Sequence, residues 1–357
     1  MNSLQPRAID TFFAQDRAWI VALVMVGLSV FKAGLVFEVS AQSPDLAFPL
    51  PEVGMTPTSF GMPFAVTVSG LKGHVSGIGF MMFAATVLML FIFSIHLLRS
   101  DRSAGLIVAG LTLLGPIGVV AFGNVGRNDW FLIAGSLLFA LRGERLSWAL
   151  AAAFVMALGN PEQAFIALAA FLLLASTPMF AQFRRSALWS LGFVAVIAVC
   201  LTVWVEALGL ISRASWIETF IGSGLKNFSL NLPLSVYAAY GVGWIAVALV
   251  LLQSKGVARL CVITALILIP FAVTATTDDQ TRVFVGVSAL MSVALYRWAA
   301  PGIAAWLQDT FSAHWRTIMV AVLVIAPAIE ITNAGSIRVP YEWLYEFVTS
   351  RSEFGAG

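Results

Sequence analysis

The sequence predicts an all-α protein, a polytopic bundle of about eleven transmembrane helices with its N-terminus inside and its C-terminus outside. Three observations carry that expectation. Hydrophobic residues fill 60% of the 357 positions and charged residues 11%, which is not the balance of a soluble globular chain. Apolar runs of roughly 17–24 residues, long enough as helices to cross about 30 Å of hydrocarbon, recur from residue 18 to residue 333. The charges also sort by side once the N-terminus is placed inside. Twelve of the 20 Lys and Arg residues then fall on the inner face and seven on the outer, whereas 13 of the 18 acids fall outside.

In order, the spans lie near 18–37, 76–98, 104–123, 129–142, 146–159, 162–181, 186–209, 236–252, 259–276, 281–299 and 317–334. The run before Lys32 is too long for a signal h-region, so the first span is expected to stay uncleaved although "VSA" at 39–41 resembles a cleavage site. Basic inner turns such as Arg142 to Arg145 and Arg184–Arg185 fix the direction of the middle spans. The whole chain, 1–357, reads as one integral membrane domain with a first outer loop at 38–75 and a second large outer loop at 210–235. The first loop is rich in proline and glycine and carries Phe48, Phe60, Met62 and Phe64, so it is expected to lie on the membrane or fold back over the bundle. On the inner side, 302–316 has the pattern of an interfacial helix with Trp306 and Trp315 at headgroup level.

Cys200 and Cys261 lie inside spans and form no disulfide framework. His74, His96 and His314 are too scattered to suggest a metal site. Topology alone explains the inner basic turns, so nothing here points to nucleic acid. The expected surroundings are membrane lipids, in a bacterial inner membrane.

Three polar turns stand at outer span ends: "GNVGRNDW" at 123–130, "GNPEQAF" at 159–165 and "TTDDQTRVF" at 276–284. Each begins a helix that runs inward. Asn160 is placed to cap with Pro161 at the first helical position, Thr277 and Gln280 have capping-box spacing, and Asn128 or Asp129 is expected to cap the fourth span. Capping or the helix dipole would account for each of Asp129, Glu162, Asp278 and Asp279 singly. Neither accounts for Arg127 and Arg282, cations placed where the dipole repels them. An anion held between these arginines and exposed helix N–H groups would account for both. Lys32 and Glu206, charged residues within spans, need a partner or a cavity, and each other or Glu38 are the candidates.

A long outer loop directly after the first span, with an acidic residue near its start, resembles the GT-C superfamily of membrane glycosyltransferases, which use polyprenyl-phosphate-linked sugars. So does "GRNDWFLIAGSLLFALRGERLSWALAAAFVMALGNPEQAFIALAAFLLL", with its alternation of polar outer turn, span, basic inner turn and small-residue-rich span. The likeness covers about residues 18–181 and is one of pattern. It implies transfer of a sugar to a glycan or lipid acceptor on the outer face, with a loop acid, Glu38 or Asp45 by position, as general base. The sequence departs from that family's pattern, with no compact pair of acidic residues at the start of the loop, and no large soluble C-terminal domain is expected from it. The residues themselves suit the same chemistry, since carboxylates can take a hydroxyl proton and Arg127 and Arg282 can stabilise a departing phosphate. A divalent metal held by Asp278 or Asp279 is compatible with this but not required. The competing readings are a polysaccharide polymerase or lipid-linked-sugar handling protein, and an ion-coupled transporter.

Overall fold

The computed structural model describes residues 17–34, 61–71, 74–207, 213–277, 279–331, 337–339 and 341–342. Within them the protein is all-α apart from one pair of two-residue strands. The helices are α1 (Ala18–Ala33), α2 (Gly61–Ser69), α3 (Val75–Ser100), α4 (Arg102–Leu113), α5 (Pro116–Gly123), α6 (Asp129–Arg142), α7 (Leu146–Gly159) and α8 (Pro161–Ala175). They continue with α9 (Arg184–Ala207), α10 (Arg213–Leu230), α11 (Leu232–Tyr240), α12 (Trp244–Gln253), α13 (Gly256–Ile263), α14 (Ile269–Ala275), α15 (Gln280–Phe311) and α16 (Trp315–Ile325). Strands β1 (Glu330–Ile331) and β2 (Ile337–Arg338) pair antiparallel, Glu330 opposite Arg338.

Each predicted apolar segment contains a helix among the described residues, but the helices differ in length. Five stretches are long and apolar enough to cross a bilayer: Val75–Ser100, Pro178–Trp204, Leu232–Gln253, Gly256–Ala275 and Gln280–Ile325. A sixth is obtained if α4 and α5, bent 49° from one another, count as a single broken span. Helices α6, α7 and α8 have 14, 14 and 15 residues, which at about 1.5 Å per residue falls short of a 30 Å hydrocarbon layer. Small residues let them pack closely. A Cβ on Gly135 of α6 would lie 2.5 Å from the Ala152 carbonyl of α7, so the two backbones nearly touch.

Helix α15 is the axis of the bundle. Apart from Arg282, every residue from Gln280 to Tyr296 is buried. Its 32 residues include Pro301, and residues 302–311, read from sequence as the start of an inner interfacial helix, continue it without a break. Trp306 is exposed there, while Trp315 opens α16 and is buried. Helix α16 stops at Ile325, short of the expected 334, because Pro327 holds Ala326 in extended backbone at ψ 129°. The segment expected as a second large outer loop is largely helical where it is described: Gly224 of α10 lies on the chain just before α15, where a Cβ would come within 2.7 Å of the Thr277 nitrogen.

Two breaks are satisfied by side chains from elsewhere. Helix α4 ends before Gly115–Pro116, leaving carbonyls that α1 answers: Ser29 Oγ donates to Leu113 O at 2.5 Å, and Lys32 Nζ donates to Leu114 O at 2.8 Å and to Leu323 O of α16 at 2.5 Å. Gly118 permits this close approach, since a Cβ there would sit 1.8 Å from Leu113 O. The buried lysine is therefore held by the C-terminal ends of two helices. No described carboxylate pairs with it, and Glu38 and the side chain of Glu206 lie outside the described residues. The second break precedes Pro270, which lacks the N–H that would bond Leu266 O. A π-helical stretch, Thr264–Leu268, joins α13 to α14 there, and Tyr240 Oη donates to Leu266 O at 2.6 Å.

Candidate functional site

The three polar turns meet different fates. At 159–165 the expectation holds: Asn160 Oδ1 accepts from the Gln163 N–H at 3.0 Å, and Pro161 opens α8. At 276–284 the expected capping box is absent, because α15 starts at Gln280 itself. Thr277 Oγ1 accepts instead from the Asp279 N–H at 3.3 Å, and Gln280 Oε1 accepts from Ser235 Oγ of α11 at 2.7 Å. At 123–130 neither Asn128 nor Asp129 caps α6. Asn128 Oδ1 is occupied by the Met62 N–H at 3.0 Å, which ties α2, a described part of the segment expected as the first outer loop, to this turn.

Freed from capping, the carboxylates turn to the arginines. Asp279 Oδ2 lies 2.7 Å from Arg282 Nε and 3.7 Å from Arg127 Nη1, and Arg282 Nη1 donates to Asp129 Oδ2 at 3.2 Å. Arg127, Asp279, Arg282 and Asp129 thus form one chain of ion pairs joining the starts of α6 and α15. The aspartate side chains are 6% and 12% exposed for Asp279 and Asp129, while Arg127 and Arg282 are 27% and 23% exposed. The carboxylates are the more deeply buried members and the arginine side chains the more exposed. Each arginine is aimed by at least one carboxylate, which removes much of the rotamer freedom that a free side chain would lose on binding an anion.

Glu162 is half-buried in the first turn of α8, where a negative charge meets the positive end of the helix. Its neighbour Gln163 packs against α15, and a Cβ on Gly286 would lie 2.6 Å from Gln163 Oε1. Glu38, Asp45 and Asp278 lie outside the described residues. Among the described residues no three His, Cys, Asp or Glu side chains are grouped to hold a metal ion.

Sequence reasoning counted Glu330 and Arg338 among the outer charges but gave them no role. In the structure Glu330 is 1% exposed; its Oε1 accepts from Asn124 Nδ2 at 2.6 Å and its Oε2 from Arg338 Nη1 at 3.3 Å. Arg338 Nη1 also donates to Gly123 O at 3.2 Å, and the Ile331 N–H donates to Thr281 Oγ1 at 2.8 Å. The strand pair therefore stitches the 123–130 turn to the 276–284 turn. Burial pushes the Glu330 carboxyl above the usual carboxylate range, against the pull of Asn124 and Arg338; Asp279 pushes it further up and Arg282 opposes. The signal available in the sequence was an acid set among apolar residues just after a proline, "APAIEI".

No family model, curated protein or solved structure matches the chain.

Proposed function

We propose that this chain is an outer-face membrane glycosyltransferase that moves a sugar from a polyprenyl-phosphate donor to a glycan or lipid acceptor. The observation that carries the reading is the meeting of Arg127, Asp129, Asp279 and Arg282 from turns more than 150 residues apart, since an anion site needs convergent, oriented donors. In this reading Arg127 and Arg282 hold the donor phosphate and stabilise its charge as it leaves. The acceptor hydroxyl attacks the anomeric carbon, the bond from that carbon to the phosphate oxygen breaks, and the hydroxyl proton passes to a carboxylate of the first outer loop, Glu38 or Asp45. The donor's prenyl tail stays in lipid beside the bundle. The eleven-span topology and a bacterial inner membrane belong to the same proposal.

A second reading, an ion-coupled transporter, draws support from the matching of each arginine by a carboxylate. Sugar transfer assayed in membranes at matched expression separates the two. Arg282→Lys keeps the charge but loses the planar fork, so turnover should fall, further in Arg282→Ala, and Asp279→Asn should fall with them. Full transfer in all three, with Asp278→Asn also active, would leave the 276–284 turn as a helix start only.

A further inference from the structure

We infer that Glu330 is the proton-accepting member of this site: when a prenyl phosphate, the leaving group of the transfer, engages Arg127 and Arg282, Glu330 takes up one proton from the buffered solution, so that anion and proton bind together. The inference rests on the donor-site reading above and adds a residue that the reading does not use.

The argument is one of charge. The ion pairs of the site set Arg127, Arg282 and Arg338 against Asp129, Asp279 and Glu330, so that the arginines that would receive an anion already face carboxylates. The sugar-bearing donor is a phosphodiester of charge about −1, but the prenyl phosphate left when the anomeric bond breaks is a monoester of about −1.5 to −2, and excess charge at a largely buried site is costly. Proton uptake by one carboxylate offsets part of it with little movement of chain.

Geometry selects the carboxylate. Asp279 faces two arginines, and Asp129 is the most exposed of the three acids. Glu330 is 1% exposed and has one arginine, at 3.3 Å. The groups facing it are Asn124 at the end of α5, Arg338 on β2, and Asp279 and Arg282 at the start of α15. Helix α11, which also packs against β1, carries Ser235 and Tyr237 and no charged residue. Burial already favours the protonated acid here. An arriving phosphate adds negative charge beside Asp279 and takes up part of the field of Arg282 that now opposes protonation. The new O–H bond forms at Oε2, and Arg338 keeps Gly123 O as its acceptor. The bond that breaks is the one holding that proton to a buffer acid, whose conjugate base stays in solution.

Isothermal titration of farnesyl phosphate into the detergent-solubilised full chain, run in buffers of different ionisation enthalpy, counts the protons exchanged. We expect about one proton taken up per molecule bound, with the apparent dissociation constant rising about tenfold per pH unit between the Glu330 titration of the empty site and its higher titration in the complex. In Glu330→Gln, which keeps the acceptor for Asn124, the uptake should vanish and the pH dependence flatten. In the unaltered protein, infrared difference spectra on binding should show a new carboxylic-acid C=O band, a readout that does not depend on a variant folding. Binding without uptake, uptake that persists in Glu330→Gln, or absence of that band would overturn the inference and leave the donor site standing. Failure of farnesyl phosphate to bind at all would overturn both.

Discussion

Arg282 donates from Nη1 to Asp129 Oδ2 at 3.2 Å, although 153 residues separate them in the chain. The pair joins the first residue of α6 to the first turn of α15, and with it two polar turns that have no local reason to meet. A double-mutant cycle on Asp129→Asn and Arg282→Gln, read by thermal unfolding in detergent, should give a coupling of about 1–3 kcal/mol, as for other contacting residues in one network. Additive effects would mean that the two side chains do not sense each other.

Glu330 gives a stability prediction with a definite sign. Its carboxyl titrates higher in the folded protein than in the unfolded chain, chiefly through burial. The folded state therefore holds the proton more tightly. The contribution is fully present below the unfolded carboxylate value, near 4.3, and is lost as pH rises through the folded one. Relative to the unaltered protein, Glu330→Gln should gain unfolding temperature as pH rises from about 4 to 8. A constant difference across that range would count against a raised titration.

Lys32 should matter for stability whatever the reaction. Lys32→Met keeps most of the volume but leaves Leu114 O and Leu323 O without their donor. Each buried unsatisfied carbonyl costs about 1–3 kcal/mol, partly offset because a buried charge is also removed. A net loss of about 2 kcal/mol in unfolding free energy is expected, with the 49° break between α4 and α5 the first place to loosen in hydrogen exchange.

Tyr240→Phe removes one oxygen atom and exposes the cost of Pro270. The Leu266 carbonyl would lose its donor, for about 1–3 kcal/mol. Restoring a helical N–H with Pro270→Ala should recover part of that loss in the double variant, measured by unfolding in the same detergent.

Topology is open to a direct check. Reporter fusions should place Arg142 to Arg145 and Arg184–Arg185 inside, and Asn160 to Gln163 and Asp279 to Arg282 outside. Acidic turns found on opposite faces would end the idea of a single site.

How much of this could be read in advance varied with the kind of interaction. Helix positions followed from apolar runs, and Asn160–Pro161 marked a start because capping is local chemistry. Arg127 and Arg282 stood out because a cation at a helix start is locally unfavourable, and the structure gives them aspartate partners. The carboxylates were harder, since the same residue can cap a helix or pair with a distant arginine; Asp129 and Asp279 do the second. Glu330 and Arg338 gained their place only through the chain reversal after α16, which leaves no periodic trace. Lys32 finds backbone carbonyls as its partners, and no side-chain pattern encodes those. Span length was the least legible quantity, because short helices such as α7 are as apolar as those long enough to cross a bilayer.

The clasp at Lys32 also has a timetable. Its second acceptor, Leu323 O, lies 291 residues further along the chain. At about 5–20 residues per second, a ribosome takes about 15–60 s to make that stretch. The ammonium group of the first helix must wait that long, at the lipid headgroups or on a transient partner, before its final neighbour exists. Helix α1 is thus made well before it is fully locked, and a chain cut short before α16 leaves Lys32 with Leu114 O alone of its two described acceptors.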